Sequence, residues 1–220
     1  MSQPYRIAEW FDSLQGEGPS AGTPATFVRL QGCTVGCAWC DTKYSWDPQG
    51  GREVDSTEWR DLLARGHAPL LVVTGGEPLE HAGIGELLDA AVERCSRVEV
   101  ETSGIGAPPR SHPRLHYNVS PKLRSATPRW EETWSHVGAW IAESRATFKL
   151  VIASQADYDQ ARTLLEQHGV PRERVMLMPE GMTEATLKER SVWLAELCKR
   201  DGYRLSPRLH IWLWGARRGT

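Results

Sequence analysis

Short runs of apolar residues alternate along this chain with stretches whose apolar positions recur at helical spacing. The runs Thr26–Leu30, Leu70–Thr74, Val98–Thr102, Leu115–Ser120, Phe148–Ala153 and Val175–Met178 predict strands. Most of them are near-continuously apolar, as in a parallel sheet covered on both faces. Helical spacing predicts helices over Ser56–Arg65, Ile84–Cys95, Gln155–Gln167 and Thr183–Lys199, the last opened by Thr183 as its N-cap. Gly106–Pro113, rich in Pro and basic residues, reads as a loop, and Arg129–Ala142, with three tryptophans, as a helix or helical insertion. The tail RLSPRLHIWLWGARRGT carries an apolar stripe and reads as a final strand or extended arm. Strands alternating with helices specify an α/β fold with a parallel sheet. A chain of 220 residues is short for a full eight-stranded barrel, which takes about 250, so an open sheet or an incomplete barrel is expected.

Composition narrows the classes. Hydrophobic residues make up 40% and charged residues 25%, as in a globular protein rather than a disordered one. The length suits one domain over residues 1–220. A net charge of −2 supplies no field for nucleic acid or a membrane surface, so a small anionic substrate would have to meet a local basic residue. No apolar run approaches the roughly 20 residues that cross a bilayer. The first stretch, MSQPYRIAEWFDSLQGEG, lacks the basic-then-apolar pattern of a signal peptide. The expected compartment is the cytoplasm, where thiols stay reduced and five cysteines do not form a disulfide framework.

Three of those cysteines crowd into Gly32-Cys33-Thr34-Val35-Gly36-Cys37-Ala38-Trp39-Cys40-Asp41-Thr42, directly after the first predicted strand. Closed structural zinc and iron–sulfur sites take four protein ligands. Three thiolates leave one metal position for another ligand, and no fourth Cys or His is close in sequence. A zinc site closed by a distant His, Cys95 or Cys198 is the structural alternative. A four-iron cluster with one open iron is the functional one. Cys95 and Cys198 otherwise read as packing residues on helices.

The CxxxCxxC spacing, with an aromatic residue before the last Cys, resembles the radical S-adenosylmethionine superfamily. That resemblance implies an incomplete (β/α)6-type partial barrel with reduced helices and a [4Fe-4S] cluster on Cys33, Cys37 and Cys40. It also implies S-adenosylmethionine chelated to the open iron and cleaved on reduction to a 5′-deoxyadenosyl radical. Thr74-Gly75-Gly76-Glu77-Pro78, Glu101-Thr102-Ser103-Gly104 and Ser120-Pro121-Lys122 fall at successive strand ends, where parallel α/β folds gather their chemistry. By the same resemblance the cofactor contacts are Ala38, Trp39, Asp41, Gly76, Glu101, Ser103, Ser120, Pro121 and Lys122.

A narrower likeness rests on Ser13-Leu14-Gln15-Gly16-Glu17-Gly18, Arg29, Cys40-Asp41-Thr42, Met178-Pro179-Glu180-Gly181 and Arg208-Leu209-His210. Across nearly the whole chain these are similar to the 7-carboxy-7-deazaguanine synthases of queuosine-type biosynthesis. The resemblance implies a ring contraction of 6-carboxy-5,6,7,8-tetrahydropterin with loss of ammonia, using S-adenosylmethionine and Mg2+. It assigns substrate contacts to Leu14, Gln15, Gly16, Glu17, Arg29, Thr74 and His210, and the magnesium to the Thr42 hydroxyl. The chemistry suits those roles. Gln15, Glu17 and backbone groups match the donor and acceptor edge of a pterin. Arg29 offers a planar fork to a carboxylate, and a hard ion takes oxygen ligands. No general base for ammonia loss is assigned. The resemblance further implies a flavodoxin or ferredoxin as electron donor and a homodimer, with a C-terminal extension over about 201–220. Competing functions are a glycyl-radical activase, an electron carrier with four protein ligands and a zinc-stabilised binding module.

Overall fold

The structure, a computed structural model, describes residues 4–220, so the first three residues of the stretch read as lacking a signal peptide lie outside it. Its strands are β1 (Tyr5–Leu14), β2 (Pro24–Leu30), β3 (Arg52–Val54), β4 (Leu70–Gly75), β5 (Arg97–Thr102), β6 (Leu115–Val119), β7 (Ala146–Ile152), β8 (Val175–Pro179) and β9 (Arg204–Leu205). They form one sheet in the order β3-β1-β2-β4-β5-β6-β7-β8-β9. From β2 through β9 neighbouring strands run parallel, while β1 is antiparallel to both β2 and β3. The six expected strands are β2 and β4 to β8, in sequence order, as the incomplete barrel requires.

The helices are α1 (Ser56–Arg65), α2 (Ile84–Arg94), α3 (Val137–Ala142), α4 (Gln155–His168), α5 (Glu184–Asp201) and α6 (Leu209–Trp214). Local chemistry sets their ends. Asp55 caps α1 by accepting from the Thr57 and Glu58 N–H groups, Ser154 caps α4, and Thr183 caps α5 as expected. Gly169 and Gly202 close α4 and α5 in the left-handed conformation. The connection between β5 and β6 has no helix, and the three-tryptophan insertion becomes a 3-10 turn (Trp130–Trp134) followed by α3. The barrel helices are reduced, as expected. None of the described helices is long and apolar enough to cross a membrane.

One expectation needs correction, and one strand was missed. The tail is neither a full strand nor an extended arm: it makes the two-residue β9 and then turns into α6. Strand β1 went unpredicted because a register shift between Ile7 and Glu9 breaks its alternation. Tyr5, Ile7 and, beyond the bulge, Trp10 all reach the helix side, where Trp10 and Tyr5 meet the Trp59 ring edge-on.

The two faces of the sheet differ. One face turns every second residue of each strand against the helices; there Leu71, Val73, Val98, Val100, Phe148 and Leu150 join the main core with Trp59 and Trp140. The alternate positions point the other way, and in β5, β6 and β7 they include Glu99, Glu101, Asn118 and Lys149, all but Glu101 buried below the surface. A pleat of period two places every one of these polar groups on the inner face.

Candidate active site

A cavity of about 250 Å³ opens at the carboxyl ends of the parallel strands, and Cys33, Cys37 and Cys40 all line it. The loop that carries them leaves β2 and is tied down on two sides. Gly32 and Cys33 donate backbone N–H groups to Ser45 O (2.8 Å) and Trp46 O (3.2 Å). On the other side the Ala38 N–H reaches Ala126 O (2.8 Å), the Thr127 hydroxyl donates to Val35 O (2.6 Å), and Arg129 donates to Thr34 O (2.7 Å). The residues 126–129 that hold the loop have no motif and could not be picked out from sequence.

These thiols fit an iron–sulfur cluster better than a single zinc. Zinc in a structural site is closed by a fourth protein ligand, whereas a cluster on three cysteines keeps one metal position open toward the cavity that Cys33, Cys37 and Cys40 all line. Cys95 and Cys198 pack with the helix-side core and cannot supply a fourth ligand. Burial pushes the Cys33 thiol up to about 11 and raises Cys37 as well, so cationic metal must displace their protons on binding. Thr42 turns its hydroxyl to within 3.6 Å of Cys40 Sγ and lines the same wall.

The second motif locks onto the first. Gly76 lies so close to the cysteine loop that a Cβ there would collide with Gly32 O, and the Glu77 N–H donates to that same oxygen at 2.8 Å. The Glu77 carboxylate, buried, ties this turn to the third motif by accepting from Thr102 Oγ1 (2.5 Å) and the Ser103 N–H (2.7 Å). Ser103 Oγ is then left buried in the cavity wall without a partner among the described residues. An orphan hydroxyl beside bare glycine backbone is a cradle for a polar ligand, which fits the ammonium and hydroxyl groups of S-adenosylmethionine. At the fourth motif Lys122 Nζ donates to Ser120 Oγ (3.1 Å) and stands 5.6 Å from the centre of the Trp39 ring. Pro121 is buried behind this wall and Ala38 is exposed outside it; the other expected cofactor residues all line the cavity.

Every expected substrate residue reaches the cavity, but they divide into two groups. Arg29 and Thr74 are neighbours across the β2–β4 pair, and Glu9 faces Arg29 from β1. Arg29 Nε donates to Glu9 Oε2 (2.9 Å), which also accepts from the Tyr44 hydroxyl (2.7 Å). Arg218 from the tail pairs with the other oxygen of Glu9 and stacks on Tyr44 at 4.1 Å, bringing Thr220 to the cavity.

The second group surrounds Glu17. Its carboxylate accepts from Lys149 Nζ (2.6 Å) and Arg208 Nε (3.0 Å), and Lys149 also donates to Glu101 Oε2 (2.7 Å). Burial opposes the charge on Glu17, yet Lys149 and Arg208 hold its carboxyl well below the usual range. Burial and the neighbouring carboxylates raise Glu101 in spite of Lys149. The Gln15 carboxamide turns inward, donating to Glu101 Oε1 (3.2 Å) and accepting from the Glu17 N–H (3.2 Å). His210 packs against Gly16, where a Cβ would overlap its Nδ1, while the Leu209 N–H donates to Gly16 O. Burial lowers the His210 pKa, favouring a neutral ring with one donor and one acceptor. Asp41, on the cysteine loop, accepts from Arg208 Nη2 (2.6 Å), so the tail spans from Glu17 to the cluster loop.

Lys149, Glu9, Tyr44 and Asn118 were missed from sequence. For Lys149 and Asn118 the signal available was a polar residue inside an otherwise apolar strand; Glu9 and Tyr44, on the bulged β1 and on a turn, left none.

Residues 14–105 match a family described as a 4Fe-4S single cluster domain. The chain is 41% identical to the 7-carboxy-7-deazaguanine synthase of Pyrobaculum aerophilum, over 97% of this chain and 96% of that one. It is 36% identical to the 7-carboxy-7-deazaguanine synthase of Chlorobaculum tepidum, over 96% and 94%. Among solved structures it matches the crystal structure of QueE from Escherichia coli with a TM-score of 0.69 and 29% identity, over 94% of this chain and 95% of that one. Streptococcus suis SuiB bound to S-adenosylmethionine shares the fold at a TM-score of 0.54 and 11% identity, over 80% of this chain and 47% of that one.

Proposed function

The chain belongs to the 7-carboxy-7-deazaguanine synthase family, and on that premise we propose that its cavity holds a carboxylated tetrahydropterin against an S-adenosylmethionine-bound cluster. The observation that carries the reading is that one cavity is lined by three thiols, by an arginine whose Nε is held on Glu9 and by a glutamate held anionic. The cluster on Cys33, Cys37 and Cys40 supplies, when loaded and reduced, a 5′-deoxyadenosyl radical from S-adenosylmethionine. The remaining work belongs to the chain. Arg29 uses Nε on Glu9 and keeps its two Nη groups for the substrate carboxylate. Glu17, held anionic, accepts from ring N–H groups, and neutral His210, Thr74 and the backbone of Leu14 and Gly16 complete the edge. Gln15 serves by bracing Glu17, its carboxamide oxygen accepting from the Glu17 N–H. Glu101, Ser103, Ser120 and Lys122 face the cofactor side, with Gly76 giving its backbone close approach. Thr42 is the oxygen ligand offered to Mg2+. Contacts to both the carboxylate and the ring edge fix the orientation in which the ring contracts.

The family relationship disfavours the glycyl-radical activase alternative, and the packing of Cys95 and Cys198 with the helix-side core speaks against a plain electron carrier with four thiol ligands. A flavodoxin or ferredoxin as reductant, a homodimer and a cytoplasmic location complete the proposal, the first two on family resemblance and the third on the use of reduced cysteines. The test is anaerobic reconstitution with iron and sulfide, followed by incubation with 6-carboxy-5,6,7,8-tetrahydropterin, S-adenosylmethionine, Mg2+ and reductant. Formation of 7-carboxy-7-deazaguanine is expected. A loaded cluster that cleaves S-adenosylmethionine but leaves the pterin unchanged would refute the reading.

A further inference from the structure

We propose that Lys149 is a positioning residue for the ring contraction: from the middle of β7 it clamps Glu17 and Glu101 together, so that Glu17 presents an anionic edge to the N–H donors of the substrate. The inference rests on the pterin reading above and deepens it.

Lys149 is 3% exposed, with Nζ 2.6 Å from Glu17 and 2.7 Å from Glu101. Both carboxylates touch one ammonium nitrogen, so the two acids are close neighbours. The groups around the pair come from every adjoining element. From β5 come Glu99, fully buried, and Arg97, which pairs with it at 2.8 Å. From β6 comes Asn118, donating to Glu101 (2.9 Å) and Glu99 (3.2 Å). Gln15 braces from the loop after β1, and the tail supplies Arg208 and His210, the latter 4.0 Å from Glu17. Asp41 shares Arg208 with Glu17. Without Lys149, Glu17 keeps Arg208, which is itself divided with Asp41, and a His210 ring that burial favours as neutral. Two adjacent, largely enclosed carboxylates with so little compensation share a proton. A shared proton would point Glu17 at Glu101 instead of at a ligand N–H.

The measurement is the dissociation constant of 6-carboxy-5,6,7,8-tetrahydropterin from the reconstituted, S-adenosylmethionine-bound protein, taken between about pH 6.5 and 9 without reductant so that no turnover occurs. Wild-type binding is expected to be flat across this window. Lys149→Met should bind roughly tenfold more weakly at the acid end and recover as pH rises, tenfold being one pKa unit of coupling. Lys149→Met with Glu101→Gln removes one charge of each sign and should return a flat profile at lower overall affinity. If the single variant fails to fold, a flat profile in the double variant still supports the clamp. A pH-dependent or unfolded double variant overturns it. So does a single variant that binds like wild type, or one weakened equally at every pH, which is the mark of a structural role alone. Wild-type protein that does not bind the pterin at any pH sinks the functional reading, and the clamp with it.

Discussion

Glu9 and Arg29 face each other across the antiparallel β1–β2 pair, and the carboxylate of the first accepts a hydrogen bond from Nε of the second at 2.9 Å. Arg29 thereby has its Nε held while the residue lines the cavity. Burial works against the charge on Glu9, but hydrogen bonds from Tyr44, Arg218 and Arg29 overcome it and lower its pKa.

Glu9→Gln should therefore leave Arg29 charged but loosely aimed. A hydrogen bond to a charged group contributes about 1.5–3 kcal/mol, so KM for the pterin should rise on the order of tenfold or more. The cluster content should stay unchanged. Steady-state kinetics beside iron analysis checks this; an unaltered KM would show that Arg29 orients itself without Glu9.

Gly16→Ala drives a methyl group into the His210 ring, which occupies the space an added Cβ would need. Helix α6 must lift or the loop must shift, at a cost of roughly 1–3 kcal/mol for such overpacking. Faster proteolysis within residues 205–220, together with weaker pterin binding, is the expected result. Limited digestion followed by mass spectrometry reads it directly.

Acid should unfold the protein partly through Glu17. Its folded pKa lies below the ordinary 4.5, so its stabilisation is fully present above that value and drains away as pH falls beneath it. Glu101, raised instead, works in the opposite sense and regains stability on acidification. Denaturant midpoints measured from about pH 6 to pH 3.5 should fall more steeply for wild type than for Glu17→Gln. Parallel curves would mean that the carboxylate is not paired as the structure has it.

Cys37→Ala should abolish the brown chromophore on anaerobic reconstitution, whereas Cys95→Ala and Cys198→Ala should keep it, since those two thiols lie in or against the helix-side core. Loss of iron in the Cys198 variant at unchanged thermal stability would revive a fourth protein ligand.

Much of this was legible in the chain itself. The six parallel strands, four helices and the strand-end motifs follow from local apolar patterning and from glycine and cysteine spacing, which act over a few residues. The same holds for the cysteine loop and the arginine just before it. Strand β1 was hidden because its bulge breaks the period that betrays a strand. The tail helix was hidden because six residues are too few for helical periodicity to declare itself.

The sequence by itself determined which chemistry was present: three thiols at a spacing that leaves a metal position open, and glycine turns after successive strands. Only the tertiary structure decided which charges share a wall. Lys149 and Glu17 stand 132 positions apart, and Arg208 and Glu17 stand 191 apart. Such pairings are set by strand order, pleat and the docking of the tail on Gly16, none of which leaves a local trace in the residues that meet.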